Sequence, residues 1–598
     1  MKKFVKSSTF RFIIMAGLLL LASCMIYGMT YFSTIPHVTT FLRQKPFWLL
    51  INVVLVLSGL ILLQAILGKC WMTVLIVSMA SFVWSVANYF TVTYHGSPLF
   101  LSEYANLMTA LDVAGNYSFG INGDVVKLIC IIIALLGVTF LVKMLERKAP
   151  VAVAGSLKRR ACGLGIGMAG LGMATFFVLG PLKLKPETTM GWSWKAGVEK
   201  YGFLVCCLED AHNGMANPYK MPEGYSWEAL SDVGDGKEAT ATEYPNLIVI
   251  LNETFYDLEE FYEINPDVSP LEKYYAIDNA AFGFAHSGGG TNDSEYELLL
   301  SNSLYLLNKT SPFNFANLKD HFSIVEYVEK LGYSTFGMHC GQKENYHRNT
   351  AYRDLGFDRI FLGQDDFKYQ KANFNRKWLD SENYRDMMDH LEENASDPQF
   401  VFLLTYQNHG GYEKNDNSLD TVHSGVDYGE TTSRLNEFMS SLKLSSDAFF
   451  ELTESLKGER PTVVLMVGDH GPALGGTLTR KSTENGYNGE LIKSLVPYVI
   501  WTNYKEVPEQ YGKIASMEDL IPMMLDVAGL PLSTYYNVIL ELRKQVPLRN
   551  GNGAYVDVNG KEGQYSAESE YYDLMNKYFY LEYNSFDLEK MRKELFLP

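Results

Sequence analysis

Five apolar stretches in the first third of the chain constrain its fold more than any other feature. A membrane-spanning helix needs about 20 mostly apolar residues, because the hydrocarbon core of a bilayer is roughly 30 Å thick and each helical residue rises about 1.5 Å. Stretches of this kind occupy residues 12–32, 47–67, 71–90, 125–142 and 161–182. The sequence therefore predicts a transmembrane domain of five helices over residues 1–184.

The basic residues of this region predict how the helices are oriented. Lys and Arg precede the first stretch and occupy the segment between the fourth and the fifth, whereas residues 91–124 contain neither. Arg43 and Lys45 are the exceptions to this pattern. Because cytoplasmic loops carry an excess of positive charge, we expect the amino terminus in the cytoplasm and everything after about residue 184 outside the cell.

The charge of the chain changes sign after the apolar region. Residues 1–185 have 16 basic and 4 acidic side chains, whereas residues 186–598 have 35 basic and 64 acidic ones. The formal net charge of −17 excludes a basic nucleic-acid-binding protein, so no nucleic-acid partner is expected. Only Cys206, Cys207 and Cys340 follow the apolar region. The outer part therefore does not depend on a framework of disulfides.

The region after residue 184 divides into a linker and an α/β domain. Residues 185–243 have no sustained apolar period and are predicted to be an extracellular linker. Short, continuously apolar runs at 246–251, 400–405 and 461–467 are typical of buried parallel strands. Helical patterns lie between them, at 293–304, 317–331, 381–391 and 435–456. Alternating strands and helices predict a mostly parallel central sheet that is covered on both faces.

Polar side chains follow the three predicted strands directly. Glu253 comes after the first, His409 after the second, and Asp469 and His470 after the third. Ligands of such sheets bind beyond the carboxyl ends of the strands. Carboxylates and imidazoles that meet there are suitable ligands for a divalent cation such as Mn²⁺, Zn²⁺ or Mg²⁺.

Two further segments indicate phosphate chemistry. Ser287 and three glycines precede Thr291, which begins a segment with apolar residues at helical spacing. A threonine there is typical of a helix cap, but its hydroxyl is also well placed to attack a phosphorus centre beside free backbone N–H groups. The second segment contains His339, Tyr346 and Arg348. It is a candidate substrate clamp, because the fork of an arginine matches phosphate oxygens.

Together these motifs resemble the lipoteichoic acid synthase family, which belongs to the alkaline phosphatase and sulfatase superfamily. The resemblance implies a sulfatase-like α/β domain at 244–535, followed by a carboxyl-terminal extension at 536–598 packed on it. It also implies one divalent metal, Mn²⁺ or Mg²⁺, held by Glu253, Thr291, Asp469 and His470. Thr291 would be the nucleophile and form a phosphothreonine. The headgroup would be held by His339, Arg348, His409 and Tyr346, the last standing where the family commonly has Trp.

The function that this resemblance implies is phosphoglycerol transfer at a cell membrane of the Gram-positive type. The donor would be phosphatidylglycerol, and the acceptor a glycolipid or a polyglycerolphosphate polymer outside the cell. A phosphodiester or sulfuric ester hydrolase, a phosphoethanolamine transferase and a non-catalytic envelope protein are the alternatives. A sulfatase of the formylglycine type is disfavoured, because no Cys or Ser near Thr291 is followed by the sequence that such an enzyme needs.

Overall fold

The computed structural model describes most of the chain and divides it into two compact units. The described residues are 8–37, 41, 44, 46–95, 98–100, 122–148, 157–179, 194–215, 219–307, 312–314, 318–319, 321–341, 345–370, 378–393, 396–412, 419, 421–481, 494–586 and 590–598. Those up to residue 215 form the first unit, and those from residue 219 onward form the second.

The first unit is built mainly from long apolar helices. They are α1 (Ser8–Thr34), α2 (Pro46–Leu67), α3 (Cys70–His95), α4 (Gly123–Lys148) and α5 (Leu157–Leu179). By length and composition all five can cross a membrane, which confirms the prediction of five apolar helices. Lys2, Lys3 and Lys6 carry part of the basic charge that was used to orient them, and these residues lie outside the described part of the chain.

Two further helices lie within the predicted linker. They are α6 (Trp194–Tyr201) and α7 (Phe203–Met215), and both belong to the first unit. Val198, Phe203, Val205 and Cys206 are buried, so each helix has an apolar face. The sequence analysis did not predict these helices because each apolar run is short. Residues 185–193 and 216–218 of the predicted linker lie outside the described residues.

The second unit contains a large sheet and a small one. The large sheet has eight strands in the order β4-β3-β5-β1-β6-β7-β2-β8, and the small one has the order β11-β10-β9. The strands are β1 (Asn246–Asn252), β2 (Ala280–His286), β3 (Ser334–His339), β4 (Arg359–Leu362), β5 (Gln399–Leu404), β6 (Thr462–Gly468), β7 (Leu495–Thr502), β8 (Ala515–Ser516), β9 (Leu548–Arg549), β10 (Ala554–Val556) and β11 (Glu562–Gln564).

Helices cover the large sheet and continue into the carboxyl-terminal region. They are α8 (Leu258–Phe261), α9 (Glu272–Tyr275), α10 (Thr291–Leu300), α11 (Ile324–Lys330), α12 (Arg348–Asp354), α13 (Asp380–Glu393), α14 (Glu430–Leu456), α15 (Leu520–Ala528), α16 (Thr534–Gln545) and α17 (Tyr572–Ser585). Side chains of α17, including Tyr578 and Leu581, share one apolar core with the sheet.

The sheet confirms the predicted α/β class with a mostly parallel arrangement. The three predicted strands are β1, β5 and β6, and these are adjacent and parallel. Nearly every side chain in them is buried, which explains why the sequence shows continuous apolar runs rather than alternation. The prediction of a helix over residues 317–331 is wrong about its length. It begins only after Ser323, whose side chain accepts a hydrogen bond from Glu326 N–H and caps it.

Candidate active site

The predicted site residues lie at the carboxyl ends of neighbouring strands. β3, β5, β1 and β6 are adjacent and run parallel. Asn252 pairs with Gly468 in the register of β1 and β6, so Glu253 and Asp469 occupy equivalent positions just beyond the two strands. His339 is the last residue of β3. The sheet therefore delivers these side chains to one edge, where ligands of parallel sheets bind.

Hydrogen bonds fix the two carboxylates at this edge. The N–H groups of Thr254 and His470 donate to Asp469 Oδ1 over 2.7 and 2.8 Å. Thr254 Oγ1 donates to Glu253 Oε1 over 2.7 Å, and Glu253 N–H donates to Thr405 Oγ1 over 3.0 Å. Thr254 has a φ of 49°, which is uncommon for a residue other than glycine. The strained residue thus binds one oxygen of each carboxylate and holds both in place.

Thr291 and both carboxylates lie around one atom, Nε2 of His470. Its Nδ1 lies 2.9 Å from Gly471 O, an arrangement that places the ring proton on Nδ1 and a lone pair on Nε2. Nε2 lies 3.4 Å from Thr291 Oγ1, 3.4 Å from Asp469 Oδ2 and 3.7 Å from Glu253 Oε1. These distances exceed the roughly 2.7–3.2 Å of a typical hydrogen bond. Three oxygens therefore surround one nitrogen, and none of them makes a short contact with it.

Burial and mutual repulsion perturb the charges of this group. Burial raises the pKa of Glu253, and burial together with the Glu253 carboxylate raises the pKa of Asp469 to about 6. Burial alone would lower the pKa of His470, but the charges of Asp469 and Glu253 outweigh it and raise this pKa. Two buried carboxylates that repel each other favour the binding of a cation between them.

The residues present fit a divalent cation. Ligand atoms of Glu253, Asp469 and His470 lie within 4.8 Å of one another. Among the described residues Asp469 Oδ2 is a buried oxygen that accepts no hydrogen bond. Two carboxylates and one imidazole suit Mn²⁺, Mg²⁺ or Zn²⁺. Thr291 Oγ1 reaches the same nitrogen and offers a fourth ligand atom.

Thr291 is the first residue of α10 and not its cap. Gly290 occupies the cap position, and no side chain there accepts a hydrogen bond from the helix. The capping interpretation of Thr291 is therefore wrong, and its hydroxyl faces His470 instead. The preceding turn needs glycine at two places. Gly289 has a φ of 101°, and a Cβ on Gly288 would lie 2.5 Å from the side chain of Leu304.

Two serines connect helix α10, which carries Thr291, to the loop that contains Asp469. Ser287 Oγ and Ser294 Oγ both donate to the carbonyl oxygen of Asp469, the latter over 2.7 Å. All ten residues of α10 are buried. The helix that carries Thr291 and the loop that carries Asp469 and His470 are therefore fixed to each other by buried hydrogen bonds.

Arg348 lies in this group but forms a contact that the sequence analysis did not predict. Its Nε lies 3.0 Å from each oxygen of Glu295, and its Nη2 lies 2.8 Å from Glu295 Oε2. Tyr352 donates to Glu295 Oε1 over 2.7 Å. The guanidinium carbon lies 5.0 Å from the ring centre of Tyr346, whose φ of 54° is again unusual. The charge of Arg348 partly opposes the rise that burial causes in the pKa of Glu253, so both belong to one electrostatic environment.

The two predicted histidines occupy different surroundings. His339 is buried, and its Nδ1 lies 3.1 Å from Leu404 O. Burial, together with the charge of Arg348, lowers the pKa of His339, so this imidazole is neutral near pH 7. His409 stacks on Tyr406 with a centroid distance of 4.8 Å. His339 also lies against the ring of Tyr406, at a centroid distance of 5.9 Å, so one tyrosine contacts both histidines.

Glu295 and Tyr352 are the site residues that sequence reasoning missed. Nothing in the local sequence distinguishes Tyr352 from a residue of the apolar core, yet its hydroxyl donates to Glu295. One signal for Glu295 was present, because it follows Thr291 by four positions in a predicted helix and therefore lies on the same face. Its partner is 53 residues away in the sequence, and no local pattern predicts that pairing.

Comparison with known proteins identifies the domain. Residues 245–530 match the family model described as Sulfatase. The chain is 25% identical to Lipoteichoic acid synthase 2 of Bacillus subtilis (strain 168) over 358 residues, which is 56% of this chain and 54% of that protein. The chain spans about half the length of the curated relatives that it matches. These matches confirm the predicted resemblance to the lipoteichoic acid synthase family and the prediction that the chain is an enzyme.

Solved structures share the fold. The Streptococcus pyogenes phosphoglycerol transferase GacH, in complex with sn-glycerol-1-phosphate, aligns with a TM-score of 0.52 at 20% identity, over 64% of this chain and 99% of that one. The integral membrane lipooligosaccharide phosphoethanolamine transferase A from Neisseria meningitidis aligns with a TM-score of 0.52 at 13% identity, over 86% of this chain and 95% of that one. The curated relatives and this shared fold support a membrane phosphotransferase of the sulfatase superfamily.

Proposed function

We propose that this chain is a phosphoglycerol transferase. Its five apolar helices precede a sulfatase-family domain that is similar to the domain of lipoteichoic acid synthases. It would take glycerophosphate from phosphatidylglycerol and transfer it to a glycolipid or polyglycerolphosphate acceptor outside the cell. One observation carries this proposal, namely the convergence of Thr291 Oγ1 with Glu253 and Asp469 on His470 Nε2. A buried hydroxyl beside two carboxylates and an imidazole is suited to metal-assisted attack on phosphorus.

The residues have separate roles in this proposal. Glu253, Thr291, Asp469 and His470 would hold one Mn²⁺ or Mg²⁺. The bound cation would lower the pKa of the Thr291 hydroxyl and neutralise charge on the phosphate oxygens. Arg348 and the ring of Tyr346 would bind the phosphate side of the headgroup. Neutral His339 would accept a hydrogen bond from a glycerol hydroxyl through Nε2, because its Nδ1 faces Leu404 O.

The reaction would take place in two steps at Thr291. In the first, Thr291 Oγ1 forms a bond to phosphorus and the bond to the diacylglycerol oxygen breaks, so the proton of the threonine ends on diacylglycerol. In the second, an acceptor hydroxyl forms the new bond to phosphorus and the threonine oxygen leaves with the acceptor's proton. His409, which is half-buried at the same edge of the sheet, would help to hold the headgroup during both steps.

The apolar helices give the reaction its location. We propose that the amino terminus is cytoplasmic and the sulfatase-like domain extracellular, as the basic residues around the helices indicate. A domain anchored to the bilayer meets a lipid donor at a high local concentration. Phosphoethanolamine transfer is the second candidate, supported by the fold shared with the Neisseria enzyme. All seven cysteines of this chain are free, whereas the outer domains of such transferases are usually rich in cysteine.

Purified full-length protein tests the proposal directly. With Mn²⁺ and fluorescent phosphatidylglycerol it should release diacylglycerol, and Thr291→Ala or a chelator should abolish the release. Thr242→Ala is the matched control, because Thr242 is exposed and forms no part of the site. Equal activity in Thr291→Ala would contradict the mechanism. Free glycerophosphate in the absence of polymer or glycolipid product would identify a hydrolase, and release only from phosphatidylethanolamine would identify the second candidate.

A further inference from the structure

One residue of the nucleophile helix contacts the predicted phosphate-binding arginine. Glu295 follows Thr291 by four positions on α10, so both side chains leave the same face one turn apart. Glu295 is completely buried, and Arg348 is 3% exposed. The ion pair therefore lies inside the protein, at a fixed place relative to the nucleophile.

The geometry of the pair leaves one edge of the guanidinium available. Nε and Nη2 of Arg348 donate to Glu295, and none of the hydrogen bonds between described residues uses Nη1. Glu295 has no freedom to move, because Tyr352 also donates to it over 2.7 Å. The ring of Tyr346 lies 5.0 Å from the guanidinium carbon and limits motion out of the plane. The direction of Nη1 is thus set by three side chains.

Stability alone does not account for such a pair. Removing two charges from water costs free energy, and buried ion pairs are often no more stabilising than apolar side chains of the same size. An arginine that reaches a phosphate from solvent would instead have to become ordered when the substrate binds, at an entropic cost. A buried carboxylate removes that cost by holding the guanidinium in place beforehand.

We propose that Glu295 is a positioning residue that aims Arg348 Nη1 at the phosphorus centre beside Thr291. The inference rests on the proposed function, because Arg348 must bind phosphate for its orientation to matter. Glu295 itself does not contact the reacting atoms, since both of its oxygens accept hydrogen bonds from Arg348 and Tyr352.

The test is a double-mutant cycle in the full-length protein with Mn²⁺. Glu295→Gln keeps the size of the side chain but weakens its hold on Arg348, so kcat/KM should fall about 10- to 100-fold, the effect of losing one charge-assisted hydrogen bond. In an Arg348→Ala background the same change should have little further effect. If Glu295 had only a structural role, the losses of kcat/KM caused by the two substitutions would be additive in the double mutant. That result would overturn the proposal. Wild-type kcat/KM in Glu295→Gln would overturn it too.

Two controls keep the test decisive. Glu295→Asp retains the charge, so it should fold, but its shorter side chain withdraws from Arg348 and should give an intermediate loss of kcat/KM. Asp519→Asn weakens the other buried pair of this domain, with Arg549, and should lower the melting temperature without changing kcat/KM. If Glu295→Asp matches wild type in kcat/KM, the positioning role is wrong.

Two substrates separate failure of the inference from failure of the proposed function. The cycle is measured with phosphatidylglycerol and with bis(p-nitrophenyl) phosphate, a soluble diester that needs no lipid recognition. Non-additive losses with the soluble diester alone would support Glu295 and contradict the proposed donor. Arg348→Ala with wild-type kcat/KM on both substrates would overturn both. Loss in Arg348→Ala without loss in Glu295→Gln would overturn only the inference.

Discussion

Two buried arginines of the second unit have the same exposure and different surroundings. Arg348 and Arg549 are each 3% exposed, and each forms an ion pair with buried carboxylates. In Arg549 all three nitrogens donate to the protein, since Nε reaches Glu518, Nη1 reaches Val546 O and Nη2 reaches Asp519. In Arg348 only Nε and Nη2 donate to Glu295.

In the proposed function, this difference separates a framework residue, which stabilises the fold, from a residue that binds the substrate. Every guanidinium nitrogen of Arg549 donates to the protein, and this side chain joins β9 to the segment before α15. Arg348 has one nitrogen, Nη1, that donates to none of the described residues, and it lies at the edge of the sheet where the predicted metal ligands meet. Burial and charge are therefore the same at both places, and the number of uncommitted donors distinguishes them. Helix α10 connects the two, because Glu295 contacts Arg348 and Glu297 is influenced by the charge of Glu518.

The largest expected effect comes from removing the framework arginine. Arg549→Ala leaves Glu518 and Asp519 buried without their partner, so we expect the protein to lose about 3–5 kcal/mol of stability. The rate of diacylglycerol release per folded molecule should stay unchanged. Thermal unfolding and the release assay measure the two quantities, with exposed Arg480→Ala as the control. Loss of rate without loss of stability would remove the distinction between the two arginines.

The carboxylates around Arg549 predict a pH dependence of stability. Burial raises the pKa of Glu518 to about 7, and burial together with the charge of Glu518 raises the pKa values of Glu297 and Glu582. A carboxyl whose pKa is higher in the folded state binds more protons there than in the unfolded state. Stability is then greatest at acidic pH and falls as pH rises towards the folded pKa, by about 3 kcal/mol for a shift of this size.

The melting temperature of the full-length protein between about pH 5 and pH 8 checks this sign. We expect it to fall as pH rises, and Glu518→Gln should flatten the decline. Glu541→Gln, on the exposed side of α16, should leave the profile as it is. A melting temperature that rises over this range would show that the cluster around Arg549 is not protonated in the folded protein.

The smallest expected effect concerns the carboxyl-terminal end of α10, the helix that carries Thr291. Ser301 ends α10 with a φ of 53°, and its carbonyl oxygen lies 2.7 Å from Tyr535 OH and 3.2 Å from Tyr578 OH. Tyr535→Phe removes one of these donors and should cost about 1 kcal/mol of stability. Tyr504→Phe, at an exposed position, is the control. A large fall in diacylglycerol release would instead assign a catalytic influence to Tyr535.

The sequence predicted the parts of this molecule that local patterns determine. The runs behind β1, β5 and β6 are apolar because those strands are buried on both faces, and the polar residues after them mark the site. β3 was not predicted, because Ser334–His339 mixes Ser, Thr, Gly and His with only two large apolar residues. Its strand conformation depends on pairing with β4 and β5.

The rest of the site depends on contacts between distant segments. The convergence on His470 Nε2 joins residues separated by 179 positions, and the pair of Arg348 and Glu295 joins residues 53 positions apart. Residues this far apart follow no helical or strand periodicity, so no sequence pattern indicates that they meet. The family resemblance supplied Thr291 and Arg348, but it did not supply the carboxylate that holds the arginine.

The central claim is that Thr291 carries the transferred group, and mass spectrometry of the intact reaction tests it most directly. Full-length protein is incubated with Mn²⁺ and phosphatidylglycerol without acceptor, quenched with acid and digested. We predict a glycerophosphoryl group on the peptide that contains Thr291, and its loss when an acceptor is added before quenching. Diacylglycerol release in the absence of acceptor, with an unmodified Thr291 or with the group on another residue, would contradict the account.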